Sequence, residues 1–157
     1  MEAIRRTGAG MRLLVTSVAI LVACVVSASC GRSEARQREM YHISKTYSFT
    51  ITPSEAPPHA RESIKYKVVV RDRDTREPIQ NGEGQIYSNN REGARTWDGF
   101  AYGPEIGTYY GTLNYVTSGL WAVGLRFRRD SLHPLEKIEW MQDVLNERQS
   151  TTSTASP

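Results

Sequence analysis

The residues that could do chemistry are few. Met40-Tyr41-His42 places a thioether and an imidazole two positions apart, and soft ligands of this kind hold Cu(I). The competing reading of Met40 and His42 is a tether that binds nothing. His59 follows Pro57-Pro58 and His133 precedes Pro134; neither has a second ligand in view in the sequence, and both read as solvated. Nucleophilic catalysis needs a Ser or Cys with a base and an orienting group, and no Gly-x-Ser-x-Gly elbow occurs. Gly82-Glu83-Gly84 is too short for a phosphate loop and leads into no helical pattern. Asp98 and Glu105, each near aromatic residues, have the chemistry of a glycosidase pair, but strand ends carry such carboxylates routinely. The expectation is a protein without catalytic residues, bound metal or cofactor.

Both cysteines, Cys24 and Cys30, lie in the first 30 residues, so the rest of the chain has no thiol for a disulfide or a thiolate metal site. That leader has a basic start and an uncharged stretch between Arg12 and Arg32, with a dense apolar run from Leu13 to Ala23. The pattern fits a cleaved secretory signal, a lipoprotein leader or a short membrane helix. Leu21-Val22-Ala23-Cys24 resembles a lipobox, and Ser27-Ala28-Ser29-Cys30 is a looser match. Lipidation would fall on Cys24 or Cys30. All three alternatives imply export; as lipoprotein or signal anchor, the leader would hold the domain on the periplasmic face of a bacterial inner membrane, with lipid contacted through the N-terminus.

Charge excludes one partner class. Of 20 basic and 17 acidic residues, five and two lie in the first 36, which leaves 15 of each beyond them. A domain with no net charge has no electrostatic footprint for nucleic acid.

The elements that would position any site are strands. Tyr47, Phe49 and Ile51 alternate with polar residues up to Pro53; Ile64, Tyr66, Val68 and Val70 line one face of a second strand. Gln85–Asn89 is a short strand, and Arg95–Tyr102 another, with Trp97 and Phe100 on opposite faces. From Glu105 to Arg129 two long alternating strands flank Thr117-Ser118-Gly119, which predicts a hairpin at the centre of the core. The predicted core holds Ile64, Tyr66, Val68, Tyr109, Leu113, Trp121, Val123 and Phe127. Beyond Asp130, Leu135, Ile138, Met141, Val144 and Leu145 recur at three- and four-residue steps, which predicts an amphipathic helix over 134–148. The expected organisation is an all-β, Ig-like β-sandwich at 45–129, after a leader or membrane anchor at 1–30 and a tether at 31–44. A C-terminal helix at 130–149 and a disordered tail at 150–157 follow.

Trp97, Tyr102, Tyr110 and Trp140 are more aromatic surface than one small core absorbs. Either the helix covers them or some face a partner, with Arg126 and Arg128 at the rim of that interface.

The domain also resembles the YtkA-like and FixH-like group of small exported Ig-like domains. The residues that carry this are Val68 to Asp72, then Pro78-Ile79 and Gly82, then Gly107-Thr108-Tyr109 and Gly119-Leu120-Trp121. The match covers about residues 60–128. It implies a membrane-anchored accessory subunit on an integral membrane electron-transport complex, respiratory or photosynthetic, or alternatively a copper-binding delivery module for oxidase assembly. Where copper-handling members tend to carry Met and His, this chain has Asn89-Asn90-Arg91-Glu92-Gly93.

Overall fold

The computed structural model describes residues 38–149. The leader with Cys24 and Cys30, and the segment from Ser150 onward, lie outside the described residues. Two antiparallel sheets face each other as a β-sandwich. One sheet orders its strands β1 (Met40–Ile43), β2 (Tyr47–Pro53), β3 (Ser63–Asp72), β7 (Thr108–Asn114) and β6 (Ala101–Tyr102). The other orders β5 (Arg95–Gly99), β4 (Glu83–Asn90), β8 (Gly119–Arg128) and β9 (Glu136–Val144).

Period-two patterning decides which face of each strand turns inward. All eight predicted core residues are buried, together with Phe49, Val70, Ile86, Tyr115 and Leu125. Aromatic rings fill the middle, where Phe127 meets Tyr47, Phe49 and Tyr109 edge-on at centroid distances of 5.2, 6.1 and 5.1 Å. Such T-shaped contacts add to what burial alone contributes. Deeper toward the other end, Tyr66 and Tyr115 share a hydrogen bond of 2.5 Å between their hydroxyls. Burial pushes the Tyr66 phenol up to about 12 and raises Tyr115 as well.

The predicted central hairpin is not a hairpin. β7 pairs with β3 and β6, whereas β8 pairs with β4 and β9. The Thr117-Ser118-Gly119 segment therefore carries the chain from one sheet to the other, with Gly119 at φ 111°. Alternation identifies a strand and its buried face but is blind to its hydrogen-bonding partner. Placing the two apolar faces opposite each other lets each cover the other, which a hairpin in a single sheet cannot do.

The predicted C-terminal helix is also corrected. Residues 136–144 form β9, in register with β8 from Gly119↔Val144 to Phe127↔Glu136. Ile138, Trp140, Gln142 and Val144 alternate inward, a period-two pattern that coexists in the sequence with the helical one. The open edge of β8 decides between them, because a bare row of backbone donors and acceptors is costly. The domain likewise begins earlier than 45: Met40–Ile43, expected in a tether, forms β1 against β2.

The single strand expected at 95–102 is two strands in different sheets. Phe100 lies at the crossing, and its ring packs over Gly84, where a Cβ would come within 2.8 Å of it. Beyond the short β6, side chains of β5 complete the edge of β7. Asp98 Oδ2 accepts from the Thr112 N–H at 2.8 Å, and Thr96 Oγ1 from the Asn114 N–H at 3.2 Å.

Candidate functional site

Trp97 and Arg126 lie on the outer face of the β5-β4-β8-β9 sheet, and this is the face built most like a recognition surface. Trp97 stands opposite Tyr87, Tyr87 opposite Gly124, and Gly124 opposite Glu139, so these four positions form one row across the sheet. Trp97 is 70% exposed. The Tyr87 ring lies flat across Gly124, whose missing side chain makes the room: a Cβ there would sit 2.6 Å from the Tyr87 ring. Tyr87 reaches over it to donate to Glu139 Oε1 at 3.1 Å. Above the ring stand two cations, Arg126 at 5.0 Å and Lys137 at 5.9 Å from its centroid. Contacts of this kind hold a cation over the negative face of an aromatic ring.

Lys137 also pairs with Glu139 at 2.7 Å. That contact is the leading reason the Glu139 carboxyl titrates below, and the Lys137 ammonium above, its ordinary value. With Arg95 and Asn89 these residues line a shallow depression of about 450 Å³. Arg126 also borders a neighbouring hollow of about 300 Å³, with Arg128, Glu83 and Leu135. Arg128 is tied there to Glu83 at 2.6 Å. The surface offers a flat indole, a fixed phenol ring and cations held by neighbours, which suits docking of a macromolecule.

The other expected partner residues go elsewhere. Tyr110 is on the opposite sheet, under Lys65 at 4.8 Å from its ring centroid. Tyr102 pairs with Tyr109 at the sheet edge, with ring centroids 5.3 Å apart. Trp140 points inward rather than along a helix, and its ring stacks on His42 at 5.3 Å. The pair closes the sandwich where edge strands β1 and β9 meet. Among the described residues the Trp140 indole N–H is buried without a partner, and burial lowers the pKa of His42. Met40 shares that inner face and packs against the core, so the two soft ligand candidates lie side by side in a partly buried position. Asp98 is committed to the Thr112 N–H, and Glu105 to Lys67 at 2.7 Å. His133 pairs with Asp130 at 2.7 Å.

Of the residues that carried the family resemblance, those around Val70, Asp72, Ile79, Gly82, Gly107 and Tyr109 gather at one place and hold the fold, whereas Trp121 packs on Tyr115 at the start of β8. The Tyr109 hydroxyl donates to Ile79 O at 2.8 Å and accepts from the Gly82 N–H at 2.9 Å, pinning the β3–β4 connection onto β7. Val70 N–H donates to Gly107 O at 2.8 Å, with Gly107 at φ 72°. Asp72 accepts from the N–H groups of Asp74 and Thr75, which hold its carboxyl below the usual carboxylate range.

Tyr87, Gly124, Lys137 and Glu139 were not expected at the site. The available signal was the alternation of Tyr87 with buried Ile86 and Ser88, but that marks an outward position without saying what stands beside it.

No family model matches this chain, and no curated protein matches it either. Its structure is similar to that of a DUF4426 family protein from Pseudomonas aeruginosa, with a TM-score of 0.55. The identity is 9%, and the match covers 72% of this chain and 99% of the other. At that identity the likeness is one of fold.

Proposed function

We propose that the protein is a non-catalytic, membrane-anchored accessory subunit that docks an integral membrane complex through the outer face of its β5-β4-β8-β9 sheet. The observation that carries this reading is Trp97, 70% exposed beside the Tyr87–Arg126–Lys137 cluster. Exposed Trp flanked by Tyr and Arg is the composition of interface hot spots. Anchoring through the leader, by a lipid on Cys24 or Cys30 or by a retained helix, would confine the domain to the membrane plane. Its effective concentration near a membrane partner rises accordingly, so a modest interface suffices.

The Ig-like reading is supported by strand order: β2-β3-β7-β6 opposite β4-β8-β9 matches the ABED and CFG partition of immunoglobulin sandwiches. The setting on an electron-transport complex at the periplasmic face rests on the YtkA-like and FixH-like resemblance. The alternative, copper delivery, would draw on Met40 and His42 from the inner side of β1.

Trp97→Ala tests the docking face. The variant should keep its unfolding midpoint, since surface truncations usually shift stability by no more than about 0.5 kcal/mol. It should also lose co-migration with a large complex on native gels of detergent-solubilised membranes. Migration of the unaltered protein only as a free monomer would overturn the proposal.

A further inference from the structure

We propose that Glu55, His59 and Glu62, in the loop between β2 and β3, form a binding site for a divalent transition-metal ion, and that Arg148 competes with the ion for it. Glu55 Oε1 and His59 Nδ1 are 3.0 Å apart, and a Glu62 carboxylate oxygen joins them with all three ligand atoms within 4.8 Å of one another. Around a tetrahedral ion bound at about 2.0–2.2 Å, donor atoms stand roughly 3.3–3.5 Å apart. The Glu55–His59 pair is already near that spacing, and a movement of order 1 Å at Glu62 completes it.

The three ligand atoms are lone-pair donors lying within 4.8 Å of one another, and this arrangement calls for a cation. The Arg148 guanidinium supplies one in this structure. It contacts Glu55 Oε1, and its Nη2 lies 3.2 Å from His59 Nδ1 while its Nε lies 3.4 Å from Glu62 Oε1. His59 Nδ1 cannot donate to Glu55 and accept from Arg148 at once. When it accepts from Arg148, its lone pair and the Glu55 oxygen face each other, with only the guanidinium charge between them. A metal ion would satisfy all three donors together and leave a fourth position for water.

The loop is built to hold this geometry. Pro58 O accepts from Leu145 N–H at 2.8 Å, Ala60 N–H donates to Leu145 O at 2.9 Å, and Arg61 N–H donates to Tyr115 O at 2.6 Å. The ligands therefore hang from a backbone fixed to two neighbouring segments. Arg148 sits three residues past Leu145, in an exposed stretch that can withdraw without disturbing β9. Two carboxylate oxygens and an imidazole favour Zn²⁺ or Co²⁺ over Mg²⁺ and Ca²⁺, which want six or more oxygens.

The test is Zn²⁺ titration of the full chain against a chromogenic chelator, in a Cys24→Ser, Cys30→Ser background that removes the leader thiols. One Zn²⁺ per chain is expected. His59→Ala and Glu62→Gln should each weaken it at least about tenfold, the second variant preserving side-chain shape. Arg148→Gln should tighten binding about three- to fivefold, the value of lost exposed ion pairs. Absence of stoichiometric Zn²⁺ in the Arg148→Gln protein would overturn the site. So would affinity unchanged in both ligand variants, or Ca²⁺ binding as tightly as Zn²⁺. Equal affinity in the unaltered and Arg148→Gln chains would overturn the competition.

Discussion

Removing one hydroxyl from the Tyr66–Tyr115 pair should be far worse than removing both. Each ring is fully buried, and among the described residues each hydroxyl has the other as its only hydrogen-bond partner, at 2.5 Å. Tyr66→Phe forfeits that bond, a net contribution of about 1 kcal/mol, and leaves the Tyr115 hydroxyl unsatisfied, a further cost of about 1–3 kcal/mol. Each single substitution should thus destabilise by about 2–4 kcal/mol, whereas the double Phe variant, which orphans nothing, should lose no more than about 1 kcal/mol. The double cycle then shows a coupling of at least about 3 kcal/mol. Urea titration followed by tryptophan fluorescence reads this directly, because Trp121 lies 5.3 Å from the Tyr115 ring. The pair also sets an alkaline limit. Because the folded pKa of Tyr66 is raised, its contribution is intact below the ordinary value of 10.0 and is lost as pH rises toward about 12. Raising that pKa by about two units corresponds to about 3 kcal/mol, and the alkaline loss should shrink in the double variant. Additive single effects, or a double variant as unstable as their sum, would refute the pairing.

Two further outcomes follow from residues on the edges and faces. His42 is partly buried against Trp140 with its pKa lowered, so the unfolded chain binds the proton more tightly. Stability should be intact above the ordinary value of 6.5 and decline as pH falls from there through the folded pKa, with no such decline in His42→Leu; parallel pH profiles for the two proteins would count against it. Gly124→Ala should displace the Tyr87 ring and lower stability by about 1 kcal/mol in a denaturant titration. In a Tyr87→Leu background, which removes the crowding ring, the same change should be close to neutral; an equal loss there would show that Gly124 serves another purpose.

The sequence by itself determined the inward faces of β2, β3, β7 and β8. Tyr109, Leu113, Trp121, Val123 and Phe127 are inward because alternation is local, a matter of successive Cβ atoms pointing to opposite sides. Only the tertiary structure decided pairing. Strands β7 and β8 are adjacent in the chain yet belong to opposite sheets, and residues 136–144 satisfied a helical and a strand pattern equally until the open edge of β8 selected the strand. That choice turned Trp140 from an outward residue into the partner of His42. The sites were hidden for the same reason. Trp97, Tyr87, Gly124 and Glu139 fall in one row only once three strand registers are set. His59 showed no second ligand in the sequence because only the fold of the loop brings Glu55 and Glu62 to it, and Arg148 reaches them from 93 residues beyond Glu55. Hydrogen-bonding partners and charge neighbours are properties of closed loops in space, and no local pattern in the chain encodes which distant segment closes them.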